Sequence, residues 1–208
     1  MILNILDIPV LYINLDSAKE ERARIEKMLT DAGFKDIRRI RGVQNKVKKT
    51  GVAYAHKRAL IAALEIEGPF IILENDVIIH NFKKKIEVPD DADAYYLGVS
   101  RWGLHHGKGI QKISAARYDI DTFRLYNMLS AHAILYLNKD YVKFLLRSVE
   151  FYLKLGTNQD KGRAETMKYW NIYAERIPIF AQSGKYYEHT AFSLPGPACL
   201  PPSRVWLS

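Results

Sequence analysis

The groups best suited to chemistry stand together at Glu74-Asn75-Asp76. Two carboxylates and an amide gathered at one point offer the oxygen ligands that a hard divalent cation, Mg²⁺ or Mn²⁺, takes when it carries a phosphorylated substrate. A second polar break, Asn14-Leu15-Asp16, also follows an apolar run, with Arg22 a short way downstream. Amide and carboxylate groups placed there suit the base or ribose hydroxyls of a nucleotide, and a guanidinium suits a phosphate. His56 lies between the two breaks; a lone histidine on a helix is more often a structural hydrogen-bonding group than a ligand.

Each of these groups needs an element to hold it. Residues 70–73 are four consecutive large apolar residues between Gly68-Pro69 and the acidic triplet. That pattern predicts a short strand buried on both faces, as in parallel α/β sheets. Open sheets of that class bind ligands at the carboxyl ends of their strands, which is where the triplet falls. Residues 10–13 predict a first strand ending at Asn14. Ser17 and Glu20 have capping-box spacing, and Ile25, Met28, Leu29 and Ala32 recur at helical intervals before Gly33. A second strand is expected at 37–40, then a basic mobile loop at 44–50. Thr50 is the expected cap of a helix carrying Val52, Ala55, Ala59, Leu60, Ala63 and Leu64.

Further on, 81–93 reads as an exposed excursion, 94–99 as a strand, and 104–120 as a long surface loop or weak hairpin. A strand at 133–137 precedes a helix at 141–153 capped by Asp140. A second helix at 163–173 and a last strand at 177–181 complete the pattern. Alternating strands and helices argue for a single α/β domain, residues 1–193, with a mostly parallel central sheet flanked by helices. Residues 194–208, with Pro195, Pro197, Pro201 and Pro202, form a Pro-rich tail.

Composition narrows the classes. At 208 residues, 48% hydrophobic and 26% charged, the chain has an ordinary globular make-up. Cys199 is the sole cysteine, so no internal disulfide can form. The first residues lack a basic signal-peptide start, and no apolar run nears the roughly 20 residues of a membrane span, so a cytoplasmic location is expected. A net charge of +8 favours anionic partners: sugar nucleotides, phosphorylated glycans, membrane headgroups or nucleic acid.

The stretch Gly51-Val-Ala-Tyr-Ala-His56-Lys-Arg-Ala-Leu60, then Leu64-Glu65, then Ile71-Ile-Leu-Glu-Asn-Asp-Val77, resembles the central signature of glycosyltransferase family 25. That family includes lipooligosaccharide β-galactosyltransferases and collagen galactosyltransferase domains. Tyr12-Ile-Asn14-Leu15-Asp16 with Arg22 adds to the resemblance, which thins out after Gly98. Ala55 stands where the family has serine, and Asn75 where it has the first aspartate of its acidic pair.

The resemblance implies a glycosyltransferase-A-like fold and an inverting transfer from a nucleotide-diphosphate sugar, a UDP-sugar first among them, to a glycan or glycoconjugate acceptor, as in lipopolysaccharide assembly. It implies Asp76 as ligand of a Mn²⁺ or Mg²⁺ ion, with His189 as a late metal or phosphate ligand. Asn14, Leu15, Asp16, Arg22, His56, Glu74 and Asn75 fall to the nucleotide-sugar site. Asp160 is the first choice of catalytic base, with Glu188 and Asp121 as open alternatives. Two other readings stand next to this one: a glycosyltransferase acting on modified nucleic acid, suggested by the lysines at 46–49 and 83–85, and a non-catalytic nucleotide-sugar-binding relative.

Overall fold

The computed structural model describes residues 1–156, 159–191 and 193–194. In chain order the first strands are β1 (Ile2–Asn4), β2 (Val10–Asn14), β3 (Ile37–Arg41), β4 (Phe70–Glu74), β5 (Val77–Ile79), β6 (Lys85–Glu87) and β7 (Ala94–Tyr96). They continue as β8 (Trp102–His105), β9 (Gly109–Lys112), β10 (Ala115–Arg117), β11 (Thr122–Leu125), β12 (Ala133–Tyr136), β13 (Ile172–Glu175) and β14 (Phe180–Gln182). The helices are α1 (Lys19–Ala32), α2 (Lys48–Leu64), α3 (Lys139–Lys154), α4 (Gln159–Thr166) and the single turn α5 (Tyr187–Thr190).

Eight strands form the central sheet, in the order β10-β11-β13-β7-β12-β4-β2-β3. Successive side chains of a strand point to opposite faces. Val10 and Tyr12, Ile71 and Leu73, and Ala133 and Leu135 therefore enter one core with Ile25 and Leu29 of α1. Leu11 and Ile13, Phe70 and Ile72, and Ile134 and Tyr136 enter the other, with Ala59 and Leu60 of α2 and Leu145 of α3. A sheet covered on both sides needs the continuous apolar runs found here. Each fully buried Ile or Leu contributes about 1.5–3 kcal/mol relative to exposure, so packing holds these short strands.

The α/β class is as expected, but the sheet is mixed rather than mostly parallel. β2 lies parallel to β3 and β4, and β7 parallel to β13. β12 lies antiparallel to both β4 and β7, and β10, β11 and β13 pair antiparallel. β12 is buried along its whole length, and such a run reads the same whichever way its neighbours point. Its reversal has one consequence for the site. Ala133 pairs with Leu73, so the residues leading into β12 abut the end of β4, and the Glu74 N–H donates to the His132 carbonyl at 2.9 Å.

Several helix ends differ from expectation. Ala18 is the N-cap of α1 and no side chain caps it, so Ser17 has no capping role; Gly33, at φ 93°, closes the helix as expected. α2 starts behind Val47, which places Thr50 inside its first turn and shortens the expected loop. Asn138, not Asp140, caps α3, its Oδ1 accepting from the Asp140 N–H at 2.8 Å. α4 ends at Thr166 and the chain is in β13 by Ile172, where a helix to 173 was expected. Residues 81–93 are not wholly exposed: β6 pairs with β1, and Ile86 and Val88 are buried. Of the tail, Leu194 is buried and 195–208 lie outside the described residues. Among the described residues no helix is long and apolar enough to cross a membrane.

Candidate active site

Parallel β2 and β4 end side by side, Ile13 in register with Glu74. Their carboxyl ends form the floor of a cleft of about 1200 Å³. The start of α2, the β8–β9 hairpin, the start of α4 and the segment through Gln182 and His189 wall it in. Close packing lets α2 reach the rim: a Cβ on Gly51 would stand 2.4 Å from the Val43 carbonyl oxygen.

Of the residues singled out in the sequence, Asn14, Leu15, His56, Glu74, Asn75 and Asp76 line this cleft, and so do Asp160 and His189. Asp16, Arg22 and Glu188 do not. Asp16 accepts from Arg39 Nη2 at 2.5 Å and from Arg41 Nε at 3.0 Å. Hydrogen bonds from Arg41 and then Arg39 hold its carboxyl down at about 2. It ties the β2–α1 turn to β3. Arg22 donates to Glu26 at 3.0 Å on the outer face of α1. Glu188 is exposed, and its carbonyl accepts from Arg101 at 2.5 Å.

At the centre of the floor, His56 Nε2 and Glu74 Oε1 are 2.9 Å apart. His56 is buried, and burial, helped by the nearby Arg163 charge, drops its imidazole to about 3. It is therefore uncharged at neutral pH. Burial pushes Glu74 up to about 7, against the pull of Arg163 and Lys48. Burial, and then the charge of Glu74, lifts Asp76 to about 6. The same two causes raise Asp160. Three carboxyls with raised proton affinity around one cleft form the pattern expected where protons are moved.

Two residues that position this group carried no sequence signal. Arg24 donates through Nη1 to the Val77 carbonyl at 2.9 Å and through Nη2 to the Asn75 carbonyl at 2.5 Å, pinning the turn that presents Asp76. Arg163 is buried under the site. Its Nε donates to Gln159 Oε1 and its Nη1 to the Tyr136 hydroxyl, both at 2.7 Å. Gln159 Nε2 in turn donates to Asp160 Oδ1 at 2.7 Å, so α4 delivers Asp160 already oriented. Arginines on helices are usually solvated, and only the fold turns these two inward.

Among the described residues no group of three or more His, Cys, Asp or Glu side chains gathers closely enough to cage a metal ion. The donor set does fit a Mg²⁺ or Mn²⁺ ion bound largely by substrate. Asp76 receives a hydrogen bond from Gln182 on Oδ2 at 3.1 Å, while its buried Oδ1 makes none among the described residues. Mg²⁺ commonly takes one or two carboxylates and completes its shell with phosphate oxygens and water. His189 Nδ1 is likewise buried and unpartnered beside the cleft. Lys48, Lys49 and Lys161 line the same cleft and make it receptive to phosphates.

The chain matches no family model and no curated protein. Among solved structures it is similar to a glycosyltransferase involved in the glycosylation of the major capsid of PBCV-1, at 9% identity over 68% of this chain and 65% of that one, with a TM-score of 0.43. It is similar to a nucleoside-diphosphate-sugar pyrophosphorylase from Vibrio cholerae RC9 at 14% identity, covering 86% and 77%, with a TM-score of 0.47. A CTP:phosphocholine cytidylyltransferase from Streptococcus pneumoniae matches at 11% identity, covering 86% and 73%, with a TM-score of 0.45. Likeness this distant assigns neither a family nor an activity.

Proposed function

We propose that this chain is a family-25-like glycosyltransferase that moves a hexosyl group from a nucleotide-diphosphate sugar to a hydroxyl of a glycan or glycoconjugate, with inversion. The observation that carries the reading is the convergence of Asn14, His56, Glu74, Asp76 and Asp160, from four separate elements, on one cleft at the carboxyl ends of parallel strands. Asn14 is buried, its Oδ1 without a partner among the described residues and its Nδ2 held by the Ala18 carbonyl at 3.1 Å, so it accepts from a ribose hydroxyl or a base N–H. Lys48, Lys49 and Lys161 attract the diphosphate.

Asp76 and His189 would hold the divalent ion, which when bound offsets charge on the departing diphosphate. The acceptor oxygen forms its bond to the anomeric carbon as the bond from that carbon to the phosphate oxygen breaks. The electron pair leaves with the nucleoside diphosphate, and the acceptor proton passes to the Asp160 carboxylate. A base whose proton affinity lies near the working pH does this best, and burial moves Asp160 in that direction. Neutral His56 holds Glu74 in place. Asn75 contributes an amide where the family has a charge, which leaves Asp76 as the principal ligand. The nucleic-acid reading is weakened by Lys83, which is engaged with Glu175 at 3.1 Å and Asp121 at 3.9 Å.

The test is turnover of a panel of sugar nucleotides with Mn²⁺, read as release of nucleoside diphosphate. One donor should be consumed by the native chain and spared by Asp76→Ala. Failure of every donor to bind or react sinks the proposal. Release of pyrophosphate from a nucleoside triphosphate and a sugar phosphate would replace it with nucleotidyl transfer.

A further inference from the structure

One wall of the cleft has a chemistry that the donor does not use. Trp102 keeps 38% of its surface exposed, although a tryptophan normally buries a large apolar area. Its backbone is fixed on both sides. The Trp102 N–H donates to Ser100 Oγ at 3.2 Å, and its carbonyl accepts from the Leu129 N–H at 2.9 Å. The neighbouring Gly103 has no room for a side chain, since a Cβ there would stand 2.5 Å from Asn127 Oδ1. The indole is thus held in solvent by a rigid strand. Its ring centroid is 5.9 Å from that of His189, at 58°.

Ser130, one residue beyond Leu129, lines the same wall. Its Oγ is 2.5 Å from Nδ1 of His132, which is buried. Burial takes that imidazole down to about 4, against a backbone interaction at Phe180 that raises it. A neutral imidazole carries one N–H. His132 Nε2 packs against Gly98, where a Cβ would stand 2.1 Å away. Nε2 has no hydrogen-bond partner among the described residues, and whichever ring nitrogen carries the proton, Ser130 Oγ keeps a lone pair free. Ser130 Oγ then faces the cleft as an acceptor. Among the described residues the cleft lining holds no Arg, and its lysines stand on α2 and α4; Arg101, next to Trp102, turns its guanidinium to the Glu188 carbonyl at 2.5 Å.

We propose that Trp102 and Ser130 form the acceptor subsite and that it takes an uncharged sugar ring, stacked on the indole and giving one hydroxyl hydrogen to Ser130 Oγ. A nucleic-acid acceptor would need cations here for its phosphates. The word acceptor rests on the glycosyltransferase reading; the ring-binding itself does not.

Saturation-transfer NMR on the whole chain tests it, with lactose and N-acetyllactosamine as probes and single-stranded oligothymidylate as competitor. Calorimetry with UDP and Mn²⁺ is run alongside. Both disaccharides should bind. Trp102→Ala and Ser130→Ala should each weaken them about tenfold, which corresponds to about 1.4 kcal/mol. Trp102→Phe should retain part of the affinity, and UDP binding should hold in all three. Equal sugar binding by Trp102→Ala overturns the proposal, as does no binding of either sugar at tens of millimolar. Tighter binding of oligothymidylate at the same wall replaces the sugar with nucleic acid. Absent UDP binding with intact sugar binding would instead strike the donor reading alone.

Discussion

Glu74 and Glu175 occupy equivalent places in two halves of one sheet and are treated in opposite ways. Each ends a strand, and β4 and β13 run in the same direction, since β12 is antiparallel to β4 and β7 and β13 is parallel to β7. Burial raises the proton affinity of both. Glu175, with 3% of its side chain exposed, meets the Lys83 ammonium at 3.1 Å. Glu74, with 25% exposed, meets a neutral imidazole and has Asp76 and Asp160 in its field. Buried charges are ordinarily paired because desolvation is costly. The half of the sheet that obeys this rule is architecture, and the half that breaks it is where a proton can move.

That contrast can be broken most directly at Asp160. Asp160→Asn should lower kcat by about 10²–10⁴-fold, the usual worth of a general base, while Glu175→Gln leaves the rate per folded molecule unchanged. Steady-state kinetics on both variants decides it; equal losses erase the distinction. Next in size is Lys83→Met, which strands the Glu175 charge. Removing one partner of a buried pair costs about 3–5 kcal/mol, and partial exposure of Lys83 reduces this to about 2–3 kcal/mol. Thermal unfolding should register that loss with activity intact.

The smallest effect is a slope. Glu74 holds its proton more tightly folded, near 7, than unfolded, near 4.5. Its contribution to stability is therefore complete below pH 4.5 and fades as pH rises through 7. The full shift corresponds to about 3 kcal/mol, which partial exposure of Glu74 reduces to about 1–2 kcal/mol; denaturant titrations should show the native chain losing that much across the window, with a flatter line for Glu74→Gln. An unchanged slope would mean that Glu74 is as well solvated as an ordinary carboxyl.

The sequence made the site's floor legible because a short apolar run bounded by turn residues and stopping at polar ones reads as a buried strand meeting a rim, although periodicity alone leaves a piece of buried helix open. Phe70–Glu74 and Val10–Asn14 are such runs, and Asn14, Glu74 and Asp76 fall at their ends. Strand direction was not legible. Ala133–Tyr136 is apolar throughout, and pairing sense depends on partners far away in the chain. The helix starts also differed: Ser17 and Thr50 have capping chemistry, yet α1 and α2 begin behind Ala18 and Val47 with no side-chain cap at either. Arg163 was invisible because its partner Tyr136 comes from β12, a separate element, and Trp102 because an exposed aromatic has no pattern to break.

The strand that runs against its neighbours has a last implication. Because β12 starts where β4 stops, one seam carries two kinds of recognition: acids from one side, and a hydroxyl and an indole-bearing partner segment from the other. Leu129, Ser130 and Ala131 line the cleft ahead of β12, outside its ladder with β4, while Met128 behind them is buried and bridges Gly103. A substitution at Ser130 can therefore change what this wall holds without touching the acids at the end of β4.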